Sequence, residues 1–168
     1  MAHFTAHYMS LLGDITMASD GTALVGLWLD GQKYFADVLL DKVHEERPEL
    51  PIFDETRRWL DIYFNGKQPN FTPPLKLITS DFRKRVCQIL LEIPFGKTTT
   101  YGEIARRIAA ERGQQSMSAQ AVGGAVGHNP ISIIIPCHRV IGADGSLTGY
   151  AGGIEKKIYL LRLEGVIK

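Results

Sequence analysis

Along the first part of the chain, apolar residues fall in short alternating runs separated by turn pairs. Asp14 to Ser19 and Ala23 to Trp28 read as strands around Asp20-Gly21, a hairpin signal because these residues tolerate the positive φ of a tight turn. Asp30-Gly31 marks a second turn. The period then changes. Phe53, Trp59, Leu60, Tyr63 and Phe64 share one face of a helix that stops at Gly66, a residue suited to a left-handed cap. Asn70 to Ser80, with Pro73-Pro74, reads as a linker.

Beyond the linker, the pattern is helical. Ser80 can cap a helix in which Phe82, Val86, Ile89 and Leu90 form the apolar face, while Arg83, Lys84 and Arg85 lie largely elsewhere. Thr100 and Glu103 have capping-box spacing and predict a helix through about Ile108. A polar loop from Ala109 to Met117 follows, and Ser118 can start a second short helix through Val126, stopped by Asn129-Pro130. Two short helices joined by a turn have the form of a helix-turn-helix. The expected architecture is an α/β N-terminal module over residues 1–75 and a mainly α C-terminal module over 76–168.

The chemistry concentrates in Ile133-Ile134-Ile135-Pro136-Cys137-His138-Arg139-Val140-Ile141, where a cysteine and a histidine stand between two apolar, β-type segments. Buried thiolate and imidazole are costly without partners, which points to a reactive site; the alternative for an isolated pair is a small hydrophobic Cys at a strand end beside a surface His. A thiol with an ordinary pKa is only slightly ionised at neutral pH and needs a base or a positive field to act as a nucleophile. His138 is the nearest candidate. Neighbours on a straight strand point to opposite faces, so contact requires either a turn, which Pro136 favours, or a bridging water.

Composition narrows the setting. At 168 residues and 45% hydrophobic content the chain can bury one good core or two smaller ones. No apolar run is long enough to span a bilayer, and Met1 to His7 lack the basic and apolar regions of a signal peptide, so a cytoplasmic protein without membrane contact is expected. Two cysteines, Cys87 and Cys137, fit a reduced nucleophile better than a disulfide scaffold. The net charge of +1 conceals a split. Residues 1–75 hold six Lys/Arg and eleven Asp/Glu, a net −5, while residues 76–168 hold thirteen and seven, a net +6. Any phosphate-binding surface is therefore assigned to the second module, with Arg83-Lys84-Arg85, Lys97, Arg106-Arg107 and Arg112 as candidates, the alternative being charge that only solvates exposed helix faces.

Ile135-Pro136-Cys137-His138-Arg139-Val140 resembles the active-site signature of the O6-alkylguanine-DNA alkyltransferases. The likeness runs from Phe82 to Gly165 through Ile93-Pro94-Phe95-Gly96, Thr100-Tyr101-Gly102-Glu103-Ile104-Ala105, Ala121-Val122-Gly123-Gly124-Ala125, His128-Asn129-Pro130 and Thr148-Gly149-Tyr150-Ala151-Gly152-Gly153. Over the first 75 residues the similarity is loose. The resemblance implies a ribonuclease-H-like β-hairpin sheet with a helix, then a winged-helix-like helix-turn-helix. It also implies action on double-stranded DNA that contains O6-alkylguanine, and on O4-alkylthymine; separately, a monomer is expected.

Such proteins rotate the damaged base out of the duplex and transfer its alkyl group once, irreversibly, to a cysteine. On this chain the resemblance makes Cys137 the nucleophile, His138 its base, reached through water, and Glu164 the group that orients the imidazole. Tyr101 would donate to the purine as guanine leaves. Asn129 would hold the site's backbone, the carbonyls of Cys137 and Val140 and the amides around Ala151 would read the base edges, and Tyr150 would shape the pocket wall. Gln120, Ala121, Gly123, Gly124, Arg106, Arg107 and Arg139 are the implied DNA-binding residues.

Three positions depart from the family pattern. Gln120 stands where an arginine often fills the space of the flipped base, Cys87 where a tryptophan is usual, and Ala151 where some members have serine. No cofactor is expected and no metal site, since the N-terminal module lacks cysteine and His3 and His7 sit at a terminus. Two other function classes remain: a non-catalytic sensor of alkylated bases, which would lack Cys137, and a cysteine hydrolase, which turnover on a simple ester would reveal.

Overall fold

The computed structural model describes residues 3–33, 44–147 and 149–168. Thr148, part of the last motif block, lies outside them. The chain divides into two compact units, one of residues 1–78 and 130–134, the other of 79–129 and 135–168.

The first unit is built on a four-stranded sheet. Strands β1 (His3–Ser10), β2 (Gly13–Ser19), β3 (Leu24–Leu29) and β4 (His44–Glu46) lie in the order β3-β2-β1-β4. β1, β2 and β3 pair antiparallel, and β4 joins β1 in parallel. The predicted hairpin is present, with Gly21 at φ +108°. The Asp20 carboxylate accepts from the amides of Thr22 and Ala23, both at 2.9 Å, which fixes the turn. Gly26 is required by packing: a Cβ there would run into the indole of Trp28, two residues on and on the same face. Trp28 packs with Ala18, Val25 and Ile78. Helix α1 (Pro51–Phe64) buries Phe53, Trp59, Leu60 and Tyr63 and ends with Gly66 at φ +82°. It meets β1 where the Tyr8 hydroxyl donates to Asp61 at 2.7 Å.

Two segments close the outer edge of β3. The Leu24 amide donates to the Pro74 carbonyl at 2.8 Å and the Lys76 amide to the Leu24 carbonyl at 2.9 Å. The segment expected as a linker is therefore pinned to the sheet, since proline at an edge leaves its carbonyl available. Further along β3, the Leu27 amide donates to Pro130 and the Ser132 amide to Leu27, each at 2.9 Å. The Ser132 hydroxyl donates to the Gln32 side chain at 3.0 Å.

Ile133-Ile134-Ile135, expected as a β-type segment, is instead a tight turn in which the Ile134 amide donates to the Ser132 carbonyl at 2.8 Å. Ile133 sits at φ +70°, a strained conformation for a β-branched residue. All three side chains are buried, so hydrophobicity alone could not distinguish a turn from a strand here.

The second unit carries α2 (Asp81–Leu91), β5 (Thr99–Thr100), α3 (Tyr101–Glu111), α4 (Ala119–Gly127), β6 (Val140–Ile141) and α5 (Ile154–Leu163). The predicted caps are in place: the side chains of Ser80, Thr100 and Ser118 accept amides of the first turns of α2, α3 and α4. Helix α3 extends three residues past the expected end at Ile108. The Arg85 guanidinium grips Glu111 through Nε and Nη2, and Arg112 lies 5.3 Å from the centre of the Phe82 ring. These contacts tie the end of α3 and the residue that follows it to α2.

Candidate active site

Parallel pairing of β5 with β6 sets the site's geometry. Thr99 is opposite Val140 and Thr100 opposite Ile141. Tyr101, the first residue of α3, follows one of these strands, while a 3-10 turn of Cys137–Arg139 precedes the other. A short ladder thus brings a phenol and a thiol from distant parts of the sequence to one place. The turn predicted at Pro136 exists, and Cys137, His138 and Arg139 are all buried.

His138 Nε2 lies 2.6 Å from Glu164 Oε2, with both side chains fully buried. Burial alone would raise the Glu164 pKa, but hydrogen bonds from His138, Arg139 and the Gly96 amide outweigh it and hold the carboxyl down at about 2. An ionised carboxylate only accepts, so Nε2 carries the hydrogen and Nδ1 is the basic nitrogen. Burial pushes the His138 pKa below its ordinary value despite Glu164. The resting imidazole is neutral and ready to take a proton.

Burial pushes the Cys137 thiol up, against the opposing influence of an Asn129 hydrogen bond, the Lys157 charge and the amides of Cys137 and His138. The thiol is therefore protonated at rest and needs a base. The Asn129 side chain also donates to the Ile135 carbonyl at 2.8 Å, bracing the chain just before the cysteine. Cys87 is buried, and burial followed by the nearby Cys137 charge pushes its thiol up to about 12. Tyr101 is raised by burial and then by the Cys137 charge, so its hydroxyl keeps its proton and can donate.

Other predicted residues occupy varied places. Val140 is buried and its carbonyl accepts Lys157 Nζ at 2.6 Å. Tyr150 and Ala151 are half-buried in the loop before α5. Gln120, Ala121 and Gly124 are exposed on α4, and Gly123 approaches the Tyr101 ring. Arg106 is exposed, whereas Arg107 pairs with Glu92 at 2.7 Å. Arg139 is buried against Glu164, away from the role of an exposed phosphate ligand.

Two contributors escaped the sequence reading. Lys157 is completely buried; its signal was a lysine on the stripe Lys157, Leu160, Leu161, Glu164, which has the i, i+3, i+4, i+7 spacing of a buried helix face. Gly96 ends the block Ile93-Pro94-Phe95-Gly96. Its amide donates to Glu164 Oε1 at 3.0 Å, and at φ +80° a Cβ would press to 3.3 Å from the Glu164 carbonyl. Among the described residues no group of three or more His, Cys, Asp or Glu side chains is arranged to hold a metal ion. No helix among them is long and apolar enough to cross a membrane.

Comparison with known proteins agrees with this geometry. Residues 81–166 match the model for the 6-O-methylguanine DNA methyltransferase, DNA binding domain, and residues 4–77 match that family's ribonuclease-like domain. A methylated-DNA--protein-cysteine methyltransferase of Haemophilus influenzae is 40% identical over 166 residues, 98% of this chain and 88% of the relative. One from Mycobacterium tuberculosis is 44% identical over 161 residues, 94% of this chain and 92% of its own length. The solved structure of Mycobacterium tuberculosis OGT in complex with DNA aligns with a TM-score of 0.81 at 41% identity, covering 98% of this chain and 92% of that one. The ribonuclease-like sheet unit, the helical unit with its buried Cys-His-Glu array and the near full-length matches converge: the chain belongs to the 6-O-methylguanine DNA methyltransferase family.

Proposed function

We propose that this protein repairs DNA by direct reversal, moving the alkyl group of O6-alkylguanine, and of O4-alkylthymine, onto Cys137 in a single irreversible turnover. The observation that carries the reading is the buried Cys137-His138-Glu164 array, in which a neutral imidazole is held by an ionised carboxylate beside a protonated thiol. DNA is the partner, reached as a monomer through α3 and α4. Because the thiol must be reduced, the cytoplasm is the fitting compartment.

In this mechanism the damaged base leaves the stack, because its alkylated oxygen is inaccessible within the duplex. Cys137 gives its proton to His138 Nδ1 through water, and Glu164 stabilises the resulting imidazolium. The thiolate attacks the alkyl carbon, a carbon–sulfur bond forms, and the carbon–oxygen bond breaks with its electron pair passing to the purine. Tyr101 donates a hydrogen bond to the ring as charge develops there, and guanine leaves with the proton that Cys137 gave up, returned from His138. The thioether is not cleaved by water, so the protein is spent. Carbonyls of Cys137 and Val140, amides near Ala151 and the Tyr150 wall hold the base, while Asn129 keeps the thiol-bearing turn in place.

Intact-mass measurement after incubation with an O6-methylguanine duplex tests this. One added methyl group per molecule, mapped to Cys137 and lost in Cys137→Ser, is expected. Methylation of Cys87, or repeated turnover, would overturn the reading.

A further inference from the structure

The Arg139 side chain makes three directed contacts. Its Nε donates to Glu164 Oε1 at 2.8 Å, Nη2 to Glu164 Oε2 at 3.1 Å, and Nη1 to the Ile93 carbonyl at 2.6 Å. The guanidinium also lies 5.8 Å from the centre of the Phe95 ring. Glu164 also takes His138 on Oε2 and the Gly96 amide on Oε1, so each carboxylate oxygen takes at least two bonds. Arginine suits this position because its planar fork matches a carboxylate at two points and stays charged when buried.

We propose that Arg139 is a positioning and charge-balancing residue: it clamps Glu164 at two points and neutralises it, so that the carboxylate orients His138 without drawing a resting proton onto it. The inference rests on the alkyl-transfer reading for its catalytic meaning, but its electrostatic content stands on the geometry. With Arg139 present, the triad His138-Glu164-Arg139 is neutral when the imidazole is neutral. Without the guanidinium, a buried Glu164 would carry an uncompensated charge whose cheapest neutralisation is a proton on His138. An imidazolium at rest cannot accept the thiol proton.

Several charged and titratable groups among the described residues act on this histidine. Glu164, at the end of α5, favours protonation, and Arg139 and Lys157 oppose it. Cys137 adjoins His138 in the turn, and Cys87 of α2 and Tyr101 of α3 both lie within the field of its thiolate. Among these, Arg139 alone both opposes the proton on His138 and bonds directly to the carboxylate that attracts it.

The test is the protonation midpoint of the His138 imidazole, followed by NMR, together with the pH profile of single-turnover methyl transfer from an O6-methylguanine duplex. Arg139→Gln and Arg139→Met both remove the charge, and Met retains an apolar stem should Gln fail to fold. Either should raise the His138 midpoint and move the acid limb of the rate profile to higher pH. A shift of about one pH unit would lower the rate on that limb about tenfold. Arg139→Lys keeps the charge but loses the two-point grip, so its midpoint should stay near that of the native protein while its rate falls. An unmoved midpoint in folded Gln or Met variants, or a Lys variant shifted as far as they are, would overturn the proposal. If the native protein takes up no methyl group while the midpoint moves as stated, the alkyl-transfer reading fails and the charge balance stands.

Discussion

The Tyr101 hydroxyl lies 3.2 Å from the point that a Cβ would occupy at Gly149. Gly123 of α4 approaches the ring of the same tyrosine, its own Cβ position 3.9 Å from the edge. Two glycines thus leave room for the phenol that the mechanism assigns to the leaving purine. Gly149 also sits at φ +87°, where any side chain is strained. Gly149→Ala should therefore displace the hydroxyl and slow transfer. Loss of a preorganised donor costs on the order of 10²–10³ in rate, and partial displacement about tenfold. Single-turnover rates on an O6-methylguanine duplex, compared with DNA affinity, would check this; a weakened affinity with an unchanged rate would remove Tyr101 from the chemistry.

Acid stability follows from the same buried array. His138 has a folded pKa below its ordinary 6.5, so the unfolded chain binds the proton more readily and stability falls as pH drops through that value. Glu164 is depressed from 4.5 to about 2. Its contribution is present above pH 4.5 and is lost as pH falls toward 2. Thermal unfolding should show a decline beginning near pH 6.5 and steepening below 4.5, and His138→Asn should lack the upper part. Glu164→Gln leaves the buried Arg139 without its anion and should cost about 3–5 kcal/mol at neutral pH.

Local signals carried much of this architecture into the sequence. Asp20-Gly21 announced its hairpin, and Ser80, Thr100 and Ser118 announced three helix starts, because a turn or a cap depends on a few adjacent side chains. The reactive pair Cys137-His138 was legible for a similar reason, as polar chemistry set in an apolar run. Contacts of long range were not. Nothing near Arg139 in sequence indicates that its partner is Glu164, and exposed and buried arginines look alike without coordinates. The path of residues 130–134 along β3 was hidden too, since an apolar run buried on every side has no period to read.

The cationic surface can now be divided. Arg85 and Arg112 are engaged with Glu111 and Phe82, and Arg107 with Glu92. Arg106 is exposed on α3 and lines a shallow groove with Gly102, Ala105 and the loop residues Gln114 and Gln115. Arg106→Ala should weaken binding to damaged and undamaged duplex alike and reduce the salt dependence by about one unit of slope. Arg107→Ala should do less, because its charge is already shared with a carboxylate. Equal effects from both substitutions, measured by fluorescence anisotropy across a salt series, would count against this division of roles.

Gln120 occupies the exposed first turn of α4, where its amide donates to Ser118 Oγ at 3.1 Å and its side chain is open to solvent. Extruding a paired guanine costs a few kcal/mol, and a side chain that fills the vacated stack recovers part of that cost. Glutamine offers neutral hydrogen bonds to the orphaned base, whereas arginine adds a planar group for stacking and a charge attracted to phosphate. If that gain is about 0.5–1 kcal/mol, Gln120→Arg should speed repair of duplex DNA roughly two- to fivefold. The reaction with free O6-benzylguanine should change little, because a free base needs no extrusion. Since Gln120 lies outside the Cys137-His138-Glu164 array, the two substrates separate flipping from chemistry. A parallel change on both would place Gln120 in the chemical step, and a slower duplex reaction would mean that glutamine already suits the geometry of the vacated stack.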